Sequence, residues 1–331
     1  MLRFLKTYTL PLSMLAGALG CVWLRHLGCL LTPLIFLMLF FTFCKVNPLD
    51  LRLHKWHWLM LLCQLLLSVG AFYALRPLNP VLAQGIMLCF IMPTATASPV
   101  IAGKLGGSIQ SLTSFILLSN VATALVVPAF FPLANPAAEM TFWQASLAIM
   151  RKVTPLLMGP FLLAWLLRLA YDGLMRARRR SERFRLTGFW SALPFYLWAF
   201  SLTILMAQIT WSLLHEQYSP VVLWGQALGA LIACLLQFFL GKHIGQRLPS
   251  KPHGEDYKDI PVSAAVSTGD LAQVTRISAG QAFGQKNTTL GIWMAQTWLN
   301  PLAALGAAAY IIWQNIFNSW QLARAARGKR V

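Results

Sequence analysis

The chain has 331 residues, of which 57% are hydrophobic and only 11% are charged. Charged side chains make up about a quarter of an ordinary soluble domain, so this composition excludes a protein whose surface lies mostly in water. The formal net charge of +18 comes from Lys and Arg that fall mainly between apolar runs. That distribution is typical of membrane topology and not of nucleic-acid binding.

Apolar runs of the length that crosses a bilayer recur along the chain. A helix needs about 20 such residues to span the hydrocarbon core, and ten runs meet this length. We therefore predict an all-α polytopic membrane protein with about ten transmembrane helices. The predicted spans are 8–24, 29–46, 58–75, 80–102, 108–131, 150–170, 188–212, 220–241, 273–293 and 301–320.

The basic residues predict the orientation of these spans. Alternate connections carry Lys and Arg in a ratio of about 20 to 4, and the richer side of such a protein is cytoplasmic. We expect a multi-pass protein of the cytoplasmic (inner) membrane with both termini in the cytoplasm. The run 176–180 is then a topology anchor. The long connection 242–272 is expected to be cytoplasmic, as a flexible segment or a short surface helix; it contains His253, Glu255, Asp256 and Asp259.

Two of the predicted spans contain polar residues and helix breakers. The fourth contains "MPTATASPVIAGKLGG", with Pro93 and Pro99 in the middle, and the ninth contains "SAGQAFGQKNTTLG". Proline interrupts a helix, glycine weakens it, and the polar side chains cannot face lipid. The two spans are each fourth in a set of five. Such a pair favours a carrier with two inverted five-helix repeats, in which helices 4 and 9 are interrupted.

Several segments resemble the bile acid:sodium symporter family, in the order in which that family has them. "FLMLFFTFCKVNPLDLR" resembles its second helix and the following loop, and "LLCQLLLSVGAFYAL" its third. "GIMLCFIMPTATASPVIAGKLGG" is similar to the fourth helix, and "SNVATALVVPAF" to the end of the fifth. "FGQKNTTLG" resembles the broken ninth helix and "IIWQNIFNSW" the tenth.

The resemblance implies an architecture and an activity. Panel helices would occupy 1–57 and 136–215, and core helices 58–135 and 216–331, with substrate bound between panel and core. The implied function is secondary active transport of a small organic anion, typically with a sodium ion and without a tightly bound cofactor. A Lys286 that titrates would instead carry a coupled proton. The expected partners are that anion and the lipid bilayer.

The candidate substrate- and ion-binding residues combine the family's site positions with the polar residues of both breaks. They are Gln64, Thr94, Thr96, Ser98, Ser119, Asn120, Gln281, Gln285, Lys286, Asn287 and Thr288. We expect Gln64, Thr96, Ser98 and Asn287 to line one polar cavity near the midplane. No metal ligand set is assigned.

The chain departs from the family at positions that matter for sodium. Thr94 and Ala95 stand where the family has two glycines, and Pro99 where it has Asn. The family's sodium-binding Glu in helix nine has no equivalent, and Lys286 stands where Gln is usual. These differences predict altered or absent sodium coupling. We expect the Lys286 ammonium to replace part of the ion's role, bonded to carbonyls at half-helix ends and to oxygens of Thr96, Ser98 or Gln64; the competing interpretation is a lysine that snorkels to the interface.

Two other functions compete with transport. An intramembrane enzyme needs a nucleophile with a base, or a metal cluster, inside the membrane. The six His residues are predicted at span ends or in loops, so we expect no enzyme. The alternative that stays open is a non-transporting membrane regulator or scaffold that retains the symporter fold.

Overall fold

The structure, a computed structural model, describes residues 12–45, 51–136, 140–177, 188–215, 219–250 and 268–327. Helices account for most of these residues, and among them the chain forms no strand beyond one isolated bridge. The helices are 12–19 (α1), Cys21–Leu24 (α2), Leu31–Phe43 (α3), Lys55–Leu75 (α4), Pro80–Ile91 (α5), Ser98–Lys104 (α6), Ile109–Ala134 (α7), Phe142–Ala177 (α8), Gly188–His215 (α9), Pro220–Arg247 (α10), Thr268–Gly284 (α11), Thr288–Trp298 (α12) and Ala304–Ala326 (α13), with 3-10 turns at Arg25–Leu30 and Pro301–Ala303.

Six helical segments of the described chain are long and apolar enough to cross a bilayer. They are Cys21–Phe43, Lys55–Leu75, Ile109–Ala134, Phe142–Met175, Ala192–His215 and Pro220–Arg247. The prediction of an all-helical polytopic membrane protein is confirmed at this level. The remaining predicted spans, 8–24, 80–102, 273–293 and 301–320, coincide with helices that fall short in length or apolarity, and their membrane crossing stays a prediction.

Some predicted features lie outside the described residues. These are the two termini (1–11 and 328–331), positions 178–180 of the predicted topology anchor, and the part of the long connection from 251 to 267 with its acidic residues.

The chain divides into two compact units. The first consists of Met1–Pro48 and Leu147–Ser219, and the second of Leu49–Ser146 and Pro220–Val331. The boundaries between panel and core helices were predicted at 57/58, 135/136 and 215/216. The assignment of panel and core, and of the substrate position, stays a prediction.

In the first unit, the N-terminal helices reverse direction along α9. Gly17 of α1 packs against the middle of α9, and the guanidinium carbon of Arg25 lies 3.5 Å from the centroid of the Trp211 ring, further along that helix. After the 3-10 turn, Phe41 of α3 stacks on Trp190 near the start of α9, with ring centroids 5.8 Å apart. The two arms on either side of the turn therefore run in opposite directions.

In the second unit, α10 and α11 approach closely because glycines line their contact. A Cβ added at Gly241 would lie 2.5 Å from the carbonyl oxygen of Ala279, and one at Gly245 would lie as close to another backbone oxygen of α11. On the other side, Gly280 and Gly284 lie against side chains of α10. Small residues four apart allow such packing in membranes. We expected the glycines of "SAGQAFG" to weaken the helix, but α11 continues through Gly280 and ends at Gly284.

Both interrupted helices occur in the second unit. α5 ends at Ile91 and α6 begins at Ser98, and α11 ends at Gly284 before α12 begins at Thr288. Pro93 lies in the first break, as expected. Pro99 does not break a helix, because it occupies the first turn of α6, where its missing N–H has no helical partner to lose.

Candidate functional site

The two breaks meet each other inside the second unit. The Asn287 N–H donates to Pro93 O at 2.8 Å, and the Ala95 N–H donates to Gln285 O at 3.0 Å. These two bonds flank the antiparallel bridge between Thr94 and Lys286. Each break thus supplies the other with backbone partners that an intact helix would have supplied internally, which is what non-helical backbone at membrane depth requires.

The carbonyl end of α5 is satisfied by side chains from several other segments. The last four carbonyls of a helix have no intrahelical donor, and leaving a buried one unpaired costs about 1–3 kcal/mol. Each carbonyl from Cys89 to Met92 accepts a side-chain hydrogen bond. The donors are Gln237 Nε2 to Cys89 O (3.1 Å), Lys286 Nζ to Phe90 O (3.0 Å), Gln64 Nε2 to Ile91 O (3.1 Å) and Met92 O (3.3 Å), and Thr123 Oγ1 to Ile91 O (3.2 Å).

The carbonyl end of α11 is satisfied in a reciprocal way. Thr94 Oγ1, from the first break, donates to Ala282 O at 2.6 Å, and Tyr310 OH of α13 donates to Gly284 O at 2.8 Å. Lys286, from the second break, bonds the end of α5 in turn. The bridged pair Thr94 and Lys286 therefore exchanges capping bonds between the two interrupted helices.

Lys286 is fully buried at this crossing. It is 1% exposed, its Nζ donates to Phe90 O, and its ammonium lies 5.1 Å from the centroid of the Phe283 ring. The C-terminal end of α5 carries a partial negative charge that favours a cation. A half-helix carbonyl is one of the partners that the sequence predicted, and burial argues against the snorkelling interpretation. Thr96, Ser98 and Gln64 make no bond to the ammonium.

No carboxylate of the described chain neutralises this lysine. The described residues include two acidic side chains, Asp172 and Asp270, and neither is buried. An ammonium has three donors, and Nζ uses one of them on Phe90 O. A buried charge without a counter-ion costs several kcal/mol, so this position can stabilise an anion that reaches it.

A row of three amides leads away from the second break. Gln285 Nε2 donates to Gln281 Oε1, and Gln281 Nε2 donates to Gln321 Oε1 of α13 at 2.9 Å. Gln321 Nε2 is buried and has no hydrogen-bond acceptor in the described part of the chain. The row thus ends on a free donor near the C-terminal end of α13.

Three other predicted site residues carry unpaired polar atoms. Gln64 Oε1, Asn120 Oδ1 and Asn287 Nδ2 are buried without a partner among the described residues. Asn120 uses its Nδ2 on Ile116 O, and Asn287 uses its Oδ1 to cap α12 through Leu290 N. The two unpaired amide oxygens are potential cation ligands. A sodium ion gains from an anionic ligand, and the buried described residues supply none.

The remaining predicted residues lie on either side of the crossing. Ser119 Oγ accepts from Thr94 N at 3.2 Å, and Ser98 Oγ donates to Ala95 O at 2.7 Å. Thr288 is the buried first residue of α12, and Thr96 is half-buried in the first break. All eleven candidates belong to the second unit, and all but Thr96 are buried. A shared polar cavity, and a role of any of them in transport, stay predictions.

Sequence reasoning missed several residues that hold this arrangement. Gln314 Oε1 accepts from Lys286 N at 3.0 Å, and Tyr310 bonds both Gly284 O and Gln237. The sequence feature that could have identified Gln314 and Tyr310 is a polar side chain within an apolar run. Lys242 was predicted at the start of the connection 242–272, but α10 continues to Arg247 because the glycines pack it against α11. Lys242 is therefore buried within the helix bundle.

The burial of one histidine was also missed. His57 lies in the first turn of α4, where its Nδ1 accepts from His54 N at 2.9 Å and its Nε2 lies 3.3 Å from Ser111 Oγ. The expectation that the His residues lie at span ends holds for His57, yet the side chain is 0% exposed. Within the described residues there is no group of three or more His, Cys, Asp or Glu side chains that could hold a metal ion.

No family model matches this chain, and a search of curated proteins finds no match either. The resemblance to the bile acid:sodium symporter family therefore rests on the motifs quoted above and stays a prediction.

Proposed function

We propose that this protein is a secondary active transporter of a small organic anion in the cytoplasmic membrane, with both termini in the cytoplasm. The observation that carries the proposal is the crossing of two interrupted helices around a buried lysine. Discontinuous helices whose ends meet near the midplane form the binding sites of many carriers, because half-helix ends present free polar groups to ions and substrates.

The order of helices in the second unit supports two inverted repeats within a ten-helix fold. One half runs as a long helix (α4), a broken helix (α5 and α6) and a long helix (α7). The other half runs as α10, the broken pair α11 and α12, and α13. The antiparallel bridge between the breaks relates Thr94 to Lys286 and fits a two-fold axis between the halves. A pair of broken helices in matching positions is the usual sequence sign of such a carrier.

Lys286 supplies the positive charge that a coupled sodium ion supplies in the family that the chain resembles. Its ammonium rests on Phe90 O at the negative end of α5. The lysine is covalently attached, so while its amine is protonated, transport by this chain does not require sodium to complete the site. The two remaining donors of the ammonium are available to a carboxylate or phosphate, and charge-assisted bonds of this kind are about twice as strong as neutral ones.

The start of α12 adds to the attraction for an anion. Lys286 precedes the N-terminal residue of this helix by two positions, and the N-terminus of a helix carries a partial positive charge. Thr288 and Thr289 follow at once and are buried. An anion that contacts both Lys286 and the start of α12 would meet a second, backbone-derived positive end. This supports a small organic anion as the substrate.

One observation favours the alternative, a non-transporting regulator or scaffold with the same fold. The bonds of Thr94 and Lys286 tie the two interrupted helices directly to each other, and no buried carboxylate among the described residues is available to bind a coupling ion. In that case the hydrogen bond from Lys286 to Phe90 O has only a structural role, which is to cap the C-terminal end of α5. The two functions differ in whether an anion binds at Lys286.

A ligand screen of the purified full-length chain tests the proposal. A ligand of the folded state raises its stability, by about 2.7 kcal/mol at 100 times Kd. We expect some small mono- or dicarboxylates to raise the midpoint of thermal unfolding equally with and without sodium. Lys286→Gln should lose the effect, whereas the matched control Lys104→Gln, an exposed lysine at the end of α6, should retain it. Stabilisation that Lys286→Gln retains in full would contradict the assigned site.

A further inference from the structure

Three basic side chains gather at one end of the second unit, where α10 and α13 end and α11 begins. They are Lys242, Arg276 and Arg324. Arg276 lies one helical turn before Gly280, against which Lys242 packs, and Arg324 lies over Trp320, whose ring centroid is 5.4 Å from that of Phe317. Lys242 is only 7% exposed, with its stem against Gly280 and its Nζ 5.5 Å from the centroid of the Phe317 ring. This basic cluster lies at the end that the topology prediction assigns to the cytoplasm.

The contacts that the structure describes for the basic cluster include a neutral amide and aromatic rings. Arg276 donates to the neutral Gln273 Oε1 at 3.3 Å, and the guanidinium of Arg324 lies 5.2 Å from the centroid of the Trp320 ring. Among the described residues of the three helices, the one carboxylate is Asp270, exposed at the start of α11 and six residues before Arg276. Like charges held close together destabilise the fold, and an anion bound among them removes that cost.

An exposed apolar stripe leads to the basic cluster along α13. Ile312, Ile316 and Trp320 are 43%, 56% and 47% exposed, and they recur every four residues on one face of the helix. Arg324 continues the same spacing by one more turn. Apolar residues that end in an aromatic ring and then a basic residue follow the polarity of a lipid molecule, from acyl chain through interface to headgroup. Gln321, one turn before Arg324, adds a buried amide donor without a partner in the described chain.

We propose that the basic cluster binds the phosphate of an anionic phospholipid whose acyl chains lie along the α13 stripe. Basic pockets between membrane helices on the cytoplasmic side recognise such headgroups. A free anion shares the phosphate chemistry but gains nothing from the stripe. The site does not involve the crossing of the broken helices. The proposal is therefore independent of whether the chain transports a substrate.

Native mass spectrometry of the full-length protein in detergent tests this site, because it resolves individual bound lipids. Phosphatidylglycerol should bind more tightly than phosphatidylcholine with the same acyl chains. The preference should fall about five-fold for each cation removed, in Lys242→Gln, Arg324→Gln and their double variant. The control pair Lys55→Gln and Lys104→Gln removes the same charge from exposed lysines on the same predicted side and should keep the preference. Arg324→Gln carries the test alone if a change at buried Lys242 prevents folding.

Two results would overturn the proposal. One is equal binding of the two lipids, or a preference that falls equally in the control pair, since the basic cluster would then have no special role. The other is displacement of phosphatidylglycerol by millimolar glycerol 3-phosphate, since a soluble phosphate would then compete without the acyl chains. Resistance to glycerol 3-phosphate, together with loss of preference in the double variant, supports a phospholipid site.

Discussion

Replacing Thr94 by Val isolates one bond of the reciprocal capping. Thr94 is 0% exposed, and its hydroxyl donates to Ala282 O at 2.6 Å. The usual donor to that carbonyl in a continuous helix is the N–H of Lys286, which instead bonds Gln314. Val has nearly the shape of Thr, so the change creates no cavity but leaves a buried carbonyl unpaired. We expect Thr94→Val to lower the free energy of unfolding by about 1–3 kcal/mol.

The control for this prediction is Thr113→Val, an identical change in α7. Thr113 Oγ1 donates to Ile109 O at 2.7 Å, but that carbonyl keeps its backbone partner within the helix, so the expected effect is within about 0.5 kcal/mol. Equilibrium unfolding in mixed detergent and dodecyl sulfate measures both variants. Equal stability of the two variants would refute the capping role of Thr94.

Three further predictions concern packing, capping and topology. Gly241→Ala should destabilise the protein by about 1–3 kcal/mol, because the new Cβ would lie 2.5 Å from a backbone oxygen of α11. The control Gly70→Ala, where nothing lies within 4 Å of the new Cβ, should be neutral or stabilising. Thermal unfolding measures both variants. Asn79→Ala removes the side chain that accepts from two N–H groups at the start of α5, and should cost about 1 kcal/mol; an unchanged unfolding midpoint would argue against the cap. A cysteine introduced at residue 178 should react with impermeant reagents only after the cytoplasmic face is opened, and labelling from the outside would reverse the predicted orientation.

The helices of this protein could be predicted from apolar runs because a bilayer fixes both the length and the composition of a helix that crosses it. The run 220–241 gave the start of α10 correctly, at Pro220. Its end was predicted too early, since Lys242 and His243 read as the start of a loop. Close packing of Gly241 and Gly245 against α11 keeps this segment helical despite its polar residues. Packing between segments that are distant in sequence cannot be read from a local pattern.

The positions of the breaks were also accessible from the sequence, but their causes were only partly right. Pro93 marks the first break, whereas the glycines before the second break lie inside α11. The second break begins where Gln285, Lys286 and Asn287 find partners outside their own helix. These partners include residues 28 and 196 positions away, so no reading of neighbouring residues could have named Gln314 or Phe90.

Uptake of anions by liposomes containing the purified protein tests the central claim most directly. The anions are those that stabilise the protein in the ligand screen, and the variables are a sodium gradient, a proton gradient and the change Lys286→Gln. The account predicts uptake by the natural chain that does not depend on sodium, and uptake by Lys286→Gln that is lost or becomes sodium-dependent. No uptake by the natural chain, or unchanged uptake by Lys286→Gln with the same dependence on pH and sodium, would contradict it.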